Sequence, residues 1–293
     1  MEVTWRDRRG AAVWDVARPA RPGRAAGVRM AGFRDLGGNP GGLRAVPYPG
    51  VTLVLEFGAG PLVVDGPAGR EHRGSLVVGL GFGSSALRVR GERFEAVQIR
   101  LSPLVARAAL GISPAEPGGA VVSLDDLWGR EAARIRERSA GASSWEERFA
   151  LADAVLARRS AAGPPVDPEV AWAWRRITAG RGRVRVDGLA AEVGWSRKRL
   201  WSRFRSQVGL PPKRAARLVR FDRAAHRLSA GADPARVAAE GGYSDQSHLH
   251  RDVAEFAGTT PATLAGEPFL AVDGTAWADR RPGPALPGPG CSG

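Results

Sequence analysis

The spacing of apolar positions changes character along the chain and predicts two structural regions. Between residues 28 and 101, short runs rich in β-branched and bulky side chains alternate with Gly and Pro clusters, as in residues 51–57 and 96–101. The intervening runs are 62–64, 75–78 and 87–89. Short strands at this spacing predict a small antiparallel β barrel.

From Ser102 onward the apolar spacing becomes helical. Residues 104–110 form a helix-like run that ends at Gly111, and a second run starts at Asp125 or Asp126 and continues to about residue 138. Residues 143–147 read as a capping box that opens a third helix. One face of this helix carries Trp145, Phe149, Ala152 and Leu156. This face fits either ordinary core or a dimer surface.

The strongest pattern is a motif that occurs twice in the helical part of the chain. One copy begins at Leu189 and ends at Ser196, and the other begins at Val237 and ends at Ser244. Each copy is a short helical turn of small and acidic residues that stops at glycine and continues with an aromatic residue and serine. Glycine suits the backbone conformation of such a turn, and serine suits the start of the next helix. The pattern predicts two helix-turn-helix units.

The second helix of each unit has an apolar face and an outward face. In the first unit Leu200 and Phe204 face the core, and in the second unit Leu249, Val253 and Phe256 do so. The outward side chains are Lys198, Trp201, Ser202 and Arg205 in the first unit, and Gln246, His250 and Arg251 in the second. Arg and Gln can form paired hydrogen bonds with base edges in the major groove.

A long helix is predicted between the two units. It opens at Pro211–Pro212 and stops before Gly231. Its length of roughly 25 Å would place two recognition helices near successive major-groove faces. The basic side chains on its predicted exposed side are Lys213, Arg214, Arg217, Arg220, Arg223 and Arg227. They fit either a solvated face or contacts with DNA phosphates.

Four segments in this region, residues 209–212, 220–225, 242–249 and 258–261, carry a family resemblance. In this order they resemble the C-terminal domain of the AraC/XylS family of bacterial transcription regulators over about residues 170–266. The resemblance implies two helix-turn-helix units that read consecutive major-groove segments. It also implies a cupin-like sensor barrel in the N-terminal half, without naming a ligand.

The resemblance also implies roles for individual side chains. The expected base contacts are Lys198, Trp201, Ser202, Gln246, His250 and Arg251. Independently of the resemblance, the candidate phosphate contacts are Ser196, Arg197, Arg205, Arg217, Ser244 and Ser247.

Composition adds less than the motifs do. The formal net charge is +13, which favours a polyanionic partner such as nucleic acid. However, Lys198 and Lys213 are the only lysines among 43 basic residues, an arginine bias that also fits GC-rich coding. The single cysteine, Cys291, allows no disulfide within the chain. The sequence shows neither a signal segment nor a membrane span, so we expect a cytoplasmic protein without a membrane partner.

Enzyme activity is not expected, because the residue types that it would need are missing. A cupin metalloenzyme needs several histidines, but His72 is the only one before residue 226. Alkyl-transfer repair proteins share this type of DNA-binding domain but need reactive and metal-binding cysteines, which Cys291 alone cannot supply. No nucleophile–base pair indicates a hydrolase. We therefore expect no cofactor and no metal.

The predicted fold class is α+β: a cupin-like antiparallel β barrel with trailing helices, followed by an all-α domain. The expected boundaries are a flexible tail at 1–25, a sensor or dimerisation domain at 26–160, a linker at 161–167, the DNA-binding domain at 168–266 and a disordered tail at 267–293.

Two functions remain open at this point. One is a transcription regulator controlled by a small-molecule effector, and the other is a ligand-independent DNA-binding protein whose N-terminal half only dimerises. Double-stranded DNA is the expected partner. RNA polymerase, a small-molecule effector and a second copy of the chain are further candidates.

Overall fold

The computed structural model describes residues 2–6, 12–36, 42–66, 69–81, 87–111 and 121–277, and it confirms the predicted α+β class. The strands are β1 (Glu2–Arg6), β2 (Ala12–Ala17), β3 (Val28–Asp35), β4 (Leu43–Arg44), β5 (Val51–Glu56), β6 (Val63–Asp65), β7 (Glu71–Arg73), β8 (Leu76–Val78), β9 (Arg88–Arg90), β10 (Glu95–Leu101) and β11 (Val121–Ser123). The helices are α1 (Pro103–Leu110), α2 (Leu124–Trp128), α3 (Arg130–Gly141), α4 (Trp145–Ala162), α5 (Pro168–Ala179), α6 (Val186–Glu192), α7 (Arg197–Val208), α8 (Pro212–Ser229), α9 (Pro234–Gly241), α10 (Gln246–Ala257), α11 (Pro261–Ala265) and α12 (Pro268–Ala276).

The N-terminal strands form two antiparallel sheets. The large sheet has the order β1-β2-β3-β10-β5-β8-β11, and the small sheet has the order β4-β9-β6-β7. Trp14 and Phe94 pack in one cluster with Leu43 and Leu62, which come from the small-sheet side. The two sheets therefore face each other, as the expected barrel architecture requires.

The outer face of the large sheet packs against helices. Alternate residues of β10, such as Val97 and Ile99, share a core with Trp145 and Phe149 of α4. The approach is so close that a Cβ atom on Gly32 would lie 2.4 Å from the Trp145 ring. The predicted apolar face of α4, consisting of Trp145, Phe149, Ala152 and Leu156, is buried here. It is thus ordinary core of the chain.

The segment that we expected to be a flexible tail, residues 1–25, contributes two strands to the large sheet. β2 pairs with β3, placing Val16 opposite Phe33, and β1 pairs with β2. Trp14 and Val16 are buried. The sequence does not predict these strands, because Arg, Ala and Gly interrupt the alternation of apolar and polar residues. β2 also depends on pairing with β3, which lies further along the chain.

The connection between the two halves is held by an ion pair. Residues 163–167 join α4 to α5, close to the expected linker at 161–167. The Asp167 carboxylate accepts two hydrogen bonds from the Arg203 guanidinium, at 2.7 and 2.8 Å. This pairing lowers the pKa of Asp167. The backbone N–H of Asp167 also donates to Gln207, so the connection is fixed to α7.

The expected disordered tail, residues 267–293, begins instead with an ordered helix. α12 buries Leu270, Val272, Asp273 and Ala276, and Trp277 beyond its end is buried as well. Its sequence gives little helical signal, because its apolar side chains are buried only when the rest of the fold supplies a groove. Residues 278–293, including Cys291, lie outside the described residues.

Ending the chain at Gly266 should lower the stability of the N-terminal half. Burial of Leu270, Val272 and Trp277 would be lost, at about 1.5–3 kcal/mol for each large apolar side chain. We expect urea unfolding to show a total loss of at least about 3 kcal/mol. A chain that ends at Trp277 keeps α12 and is the matched control. Equal stability of the two truncations would contradict the structural role of α12.

Candidate nucleic-acid interface and internal cavity

The first helix-turn-helix unit consists of α6 and α7. Gly194 in the turn has a φ of 67°, a left-handed conformation that glycine adopts readily. The Ser196 hydroxyl accepts a hydrogen bond from the Arg199 backbone N–H at the start of α7. The predicted roles of the glycine turn and of the serine cap are both present in this unit.

The second unit consists of α9 and α10, and its cap differs from the predicted one. Gly242 has a φ of 79° and ends α9 as expected. However, the side chain that caps α10 belongs to Asp245, which accepts from the His248 backbone N–H at 2.7 Å, and not to Ser244. This bond lowers the pKa of the Asp245 carboxyl. Because a carboxylate accepts more strongly than a hydroxyl, Ser244 is left to donate to Asp245.

The recognition helices present their expected polar faces to solvent. All six predicted base-contact side chains are exposed, namely Lys198, Trp201, Ser202, Gln246, His250 and Arg251. The opposite faces bury Leu200 and Phe204 in α7 and Leu249, Val253 and Phe256 in α10. Trp201 is 46% exposed, which is unusual for so large an apolar side chain. The Arg205 guanidinium lies over its ring, 5.3 Å from the centroid.

The predicted phosphate contacts divide into two groups. Five of them are exposed. Ser196, Arg197, Ser244 and Ser247 lie at or near the N-terminal ends of the recognition helices, whereas Arg205 lies in the last turn of α7. The sixth, Arg217, is half-buried and donates to Asp252 and Glu255. Its guanidinium is therefore engaged inside the domain, because a fully buried carboxylate lies beside it.

Asp252 anchors the second recognition helix to α8. Its side chain is fully buried, and it accepts from Arg217 at 2.7 Å and from Arg220 at 3.1 Å. The Arg220 guanidinium also lies over the Tyr243 ring, 4.5 Å from the centroid. The sequence reading missed this network. The sequence feature that could have revealed it is Asp252 itself, an acidic residue on the apolar face of α10 next to Val253.

An apolar cavity of about 110 Å³ lies between the two sheets. Its walls come from both sheets and from α12, including Trp14, Phe33, Leu43, Val54, Leu62, Val64, Leu76, Val89, Phe269 and Val272. Its polar wall residues are Tyr48, Thr52, Gln98 and Asp273. Burial raises the pKa of Tyr48 to about 12, and its hydroxyl donates to the Val51 carbonyl.

Helix α12 closes one side of the cavity through a buried ionic cluster. Asp273 pairs with Arg100 of β10, and its Oδ2 lies 2.8 Å from Nε2 of His226 in α8. The Arg100 guanidinium is enclosed by the rings of Tyr48 and Trp277, at 4.1 and 4.4 Å. The cavity wall is thereby in direct contact with the long helix of the DNA-binding half.

No group of three or more His, Cys, Asp and Glu side chains within the described part of the chain could hold a metal ion. No helix in these residues is long and apolar enough to cross a membrane.

The family comparison matches residues 189–266 to the family described as "Helix-turn-helix domain". No curated protein matches the chain. Among solved structures, the chain is similar to unsaturated fatty acid-bound ToxT from Vibrio cholerae strain SCE256, with 8% identity, coverage of 84% of this chain and 96% of that chain, and a TM-score of 0.45. It is also similar to the C-terminal domain of AraT, a response regulator from Geobacillus stearothermophilus, with 17% identity, coverage of 34% and 85%, and a TM-score of 0.33. For the AraC-like transcriptional activator CuxR, the identity is 17%, the coverage is 85% and 99%, and the TM-score is 0.30.

The paired helix-turn-helix units define the C-terminal part of the chain as a DNA-binding domain. The match to a helix-turn-helix family over residues 189–266 agrees with this assignment.

Replacing Asp252 with Ala should destabilise the domain by about 3 kcal/mol, because two half-buried guanidiniums lose their buried carboxylate. Urea unfolding followed by far-ultraviolet circular dichroism measures this change. Asp187→Ala is the matched control, since its pair with Arg197 is exposed and should contribute less than about 1 kcal/mol. Similar losses in both variants would argue against a special role for the buried network.

Proposed function

We propose that the chain is a sequence-specific transcription regulator whose DNA affinity is controlled by a small molecule bound in the cavity between the sheets. The observation that carries this proposal is the contact of one helix, α12, with both the cavity and α8. Asp273 lines the cavity and also pairs with His226 on the long helix. A ligand that favours one position of α12 would therefore change the environment of α8.

The recognition surface supports sequence-specific reading. Its two helices are joined by α8, which has 18 residues and a length of about 27 Å. Arg251 and Gln246 can each form paired hydrogen bonds with guanine and adenine edges, respectively. Ser196 and Ser247 are suited to phosphate contacts, since each lies at the N-terminal end of a recognition helix. Contacts with RNA polymerase and self-association stay predictions.

The chemistry of the cavity favours a neutral, mostly apolar effector. Its charged wall residue, Asp273, is already paired with Arg100 and His226. Gln98 places an amide in the otherwise apolar wall, and the buried Trp14 indole N–H has no acceptor within the described residues. One polar group on a ligand could therefore bond to one of these side chains.

The size of the cavity argues that α12 moves when a larger effector binds. An engineered apolar cavity of about 150 Å³ accommodates benzene, whereas sites for drug-sized ligands have about 300–1,000 Å³. The cavity of about 110 Å³ therefore fits at most a small ring as it stands. Because Phe269 and Val272 form part of the wall, displacement of α12 would enlarge it.

The alternative is a ligand-independent DNA-binding protein whose N-terminal half only dimerises. A cavity that touches the DNA-binding half through Asp273 favours effector control over this alternative.

Arg251→Ala should weaken binding to the cognate site by about 1–3 kcal/mol, mainly at one base position. The measurement is fluorescence anisotropy with DNA from upstream of the gene that encodes the chain, and with single-base variants of that DNA. Arg138→Ala, an exposed change on α3, is the control for loss of one charge. If Arg251→Ala loses equal affinity on cognate and random DNA, the proposed base contact is wrong.

A thermal-shift screen of neutral apolar compounds should yield ligands that stabilise the full chain and change its DNA affinity. Gln98→Leu should weaken the ligands that carry a hydrogen-bonding group, because their partner is removed. Asp273→Asn should retain ligand binding but reduce the effect of the ligand on DNA affinity, because the link to His226 is weakened.

Asp126→Asn, on the exposed part of α2, is the control for both variants. A broad screen without any stabilising compound would favour the dimerisation alternative. Ligands that stabilise the chain but leave DNA affinity unchanged would contradict effector control.

A further inference from the structure

A recessed pocket of about 180 Å³ lies in the DNA-binding half, where the two helix-turn-helix units meet. Its walls come from α8, from α9 of the second unit, and from the loop that leads into α6 of the first unit. Five arginines line it, and we call it the arginine pocket: Arg181, Arg183, Arg220, Arg223 and Arg227.

The carboxylates in and beside the arginine pocket are already paired with arginines. Glu240 is the single carboxylate among its lining residues, and it pairs with both Arg227 and Arg236. Arg220 is directed to the buried carboxylate of Asp252. Neither carboxylate is left to neutralise the remaining arginines.

Arg181, Arg183 and Arg223 form no ion pair with either of these carboxylates. Arg183 donates only to the backbone carbonyl of Glu240, at 2.6 Å. Partial burial lowers the pKa of Arg223, and the positive charge of Arg181 lowers it further, while the neighbouring carboxylate of Asp222 opposes this shift. Three guanidiniums thus share one concave site without an ion-paired carboxylate among the described residues, which is the electrostatic environment that an anion would stabilise.

The loop that brings these arginines together contains a strained backbone conformation at Arg181. Arg181 has a φ of 57°, a conformation that non-glycine residues rarely adopt. The next residue, Gly182, is pressed against α8, since a Cβ atom there would lie 2.2 Å from the Ala216 carbonyl oxygen. Glycine at position 181 would relieve the strain, so the arginine side chain is placed there at a conformational cost.

We propose that the arginine pocket binds a phosphoryl group. Guanidiniums recognise phosphate oxygens through paired, charge-assisted hydrogen bonds. The group could come from the DNA backbone between the two major-groove segments or from a free phosphorylated molecule. This site is separate from the cavity between the sheets, and it does not depend on effector control.

The first arm of the test examines DNA as the source. Full-length Arg181→Gln/Arg223→Gln is compared with Arg134→Gln/Arg138→Gln, which removes two exposed charges on α3. Binding to a duplex of random sequence is measured over a range of salt concentrations. If a DNA phosphate occupies the pocket, the pocket variant should reduce the slope of log K against log salt by about one relative to the control.

The second arm examines free phosphate in the absence of DNA. Inorganic phosphate, pyrophosphate and ATP are titrated against the full chain at constant ionic strength, with chloride as the reference anion. If a free phosphorylated molecule is the source, one of these probes should raise the melting temperature of the wild type and of the α3 control. The pocket variant should lose this stabilisation.

The variant Arg181→Gly separates a loss of anion binding from a loss of stability. It should leave the chain as stable as the wild type or more stable, because glycine tolerates the positive φ, and it should still weaken the anion effect. A loss in either arm supports the site and identifies its source. The proposal is overturned if the pocket variant and Arg181→Gly match the controls in both the salt slope and the phosphate stabilisation.

Discussion

The buried carboxylate of Asp273 holds three distant parts of the chain together. It pairs with Arg100 in the large sheet and with His226 in the long helix, while it belongs to the last described helix. Removing a carboxylate from water is unfavourable unless opposite charges and hydrogen-bond donors surround it. These partners therefore restrict how the sheets, α8 and α12 can be arranged. The cavity between the sheets depends on the same contact, because α12 forms part of its wall.

Helix α8 is the common support of both halves. On one side it holds α12 through His226, and on another it holds the second recognition helix through Arg217, Arg220 and Asp252. Both contacts use a buried carboxylate, so each is sensitive to the loss of one partner. A change in α12 therefore acts on the helix that also positions α10. Side-chain contacts thus connect the cavity wall to α10 through α8.

The arginines of the DNA-binding half fall into two groups, which the net charge does not distinguish. Arg217 and Arg203 neutralise carboxylates within the fold, and they stabilise its packing. Arg181, Arg183 and Arg223 have no carboxylate of this kind within the described residues. Arginines of both kinds appear equally basic in the sequence. Only their partners determine which of them remain available to an external anion.

The sequence by itself determined the features that depend on local spacing and backbone conformation. Examples are strands β5 and β10, helices α1 and α4, the glycine turns at Gly194 and Gly242, and the apolar faces of the recognition helices. Tertiary structure decided the features that depend on distant partners. β2 requires β3, α12 requires a groove, and Arg217 requires Asp252. From its position in β10, the polar Gln98 would be expected on a solvent-exposed face. It lines the cavity instead, because the small sheet covers that side. The periodicity of the sequence shows which side chains lie on the same face of a helix or strand. Only the assembled fold determines what packs against that face.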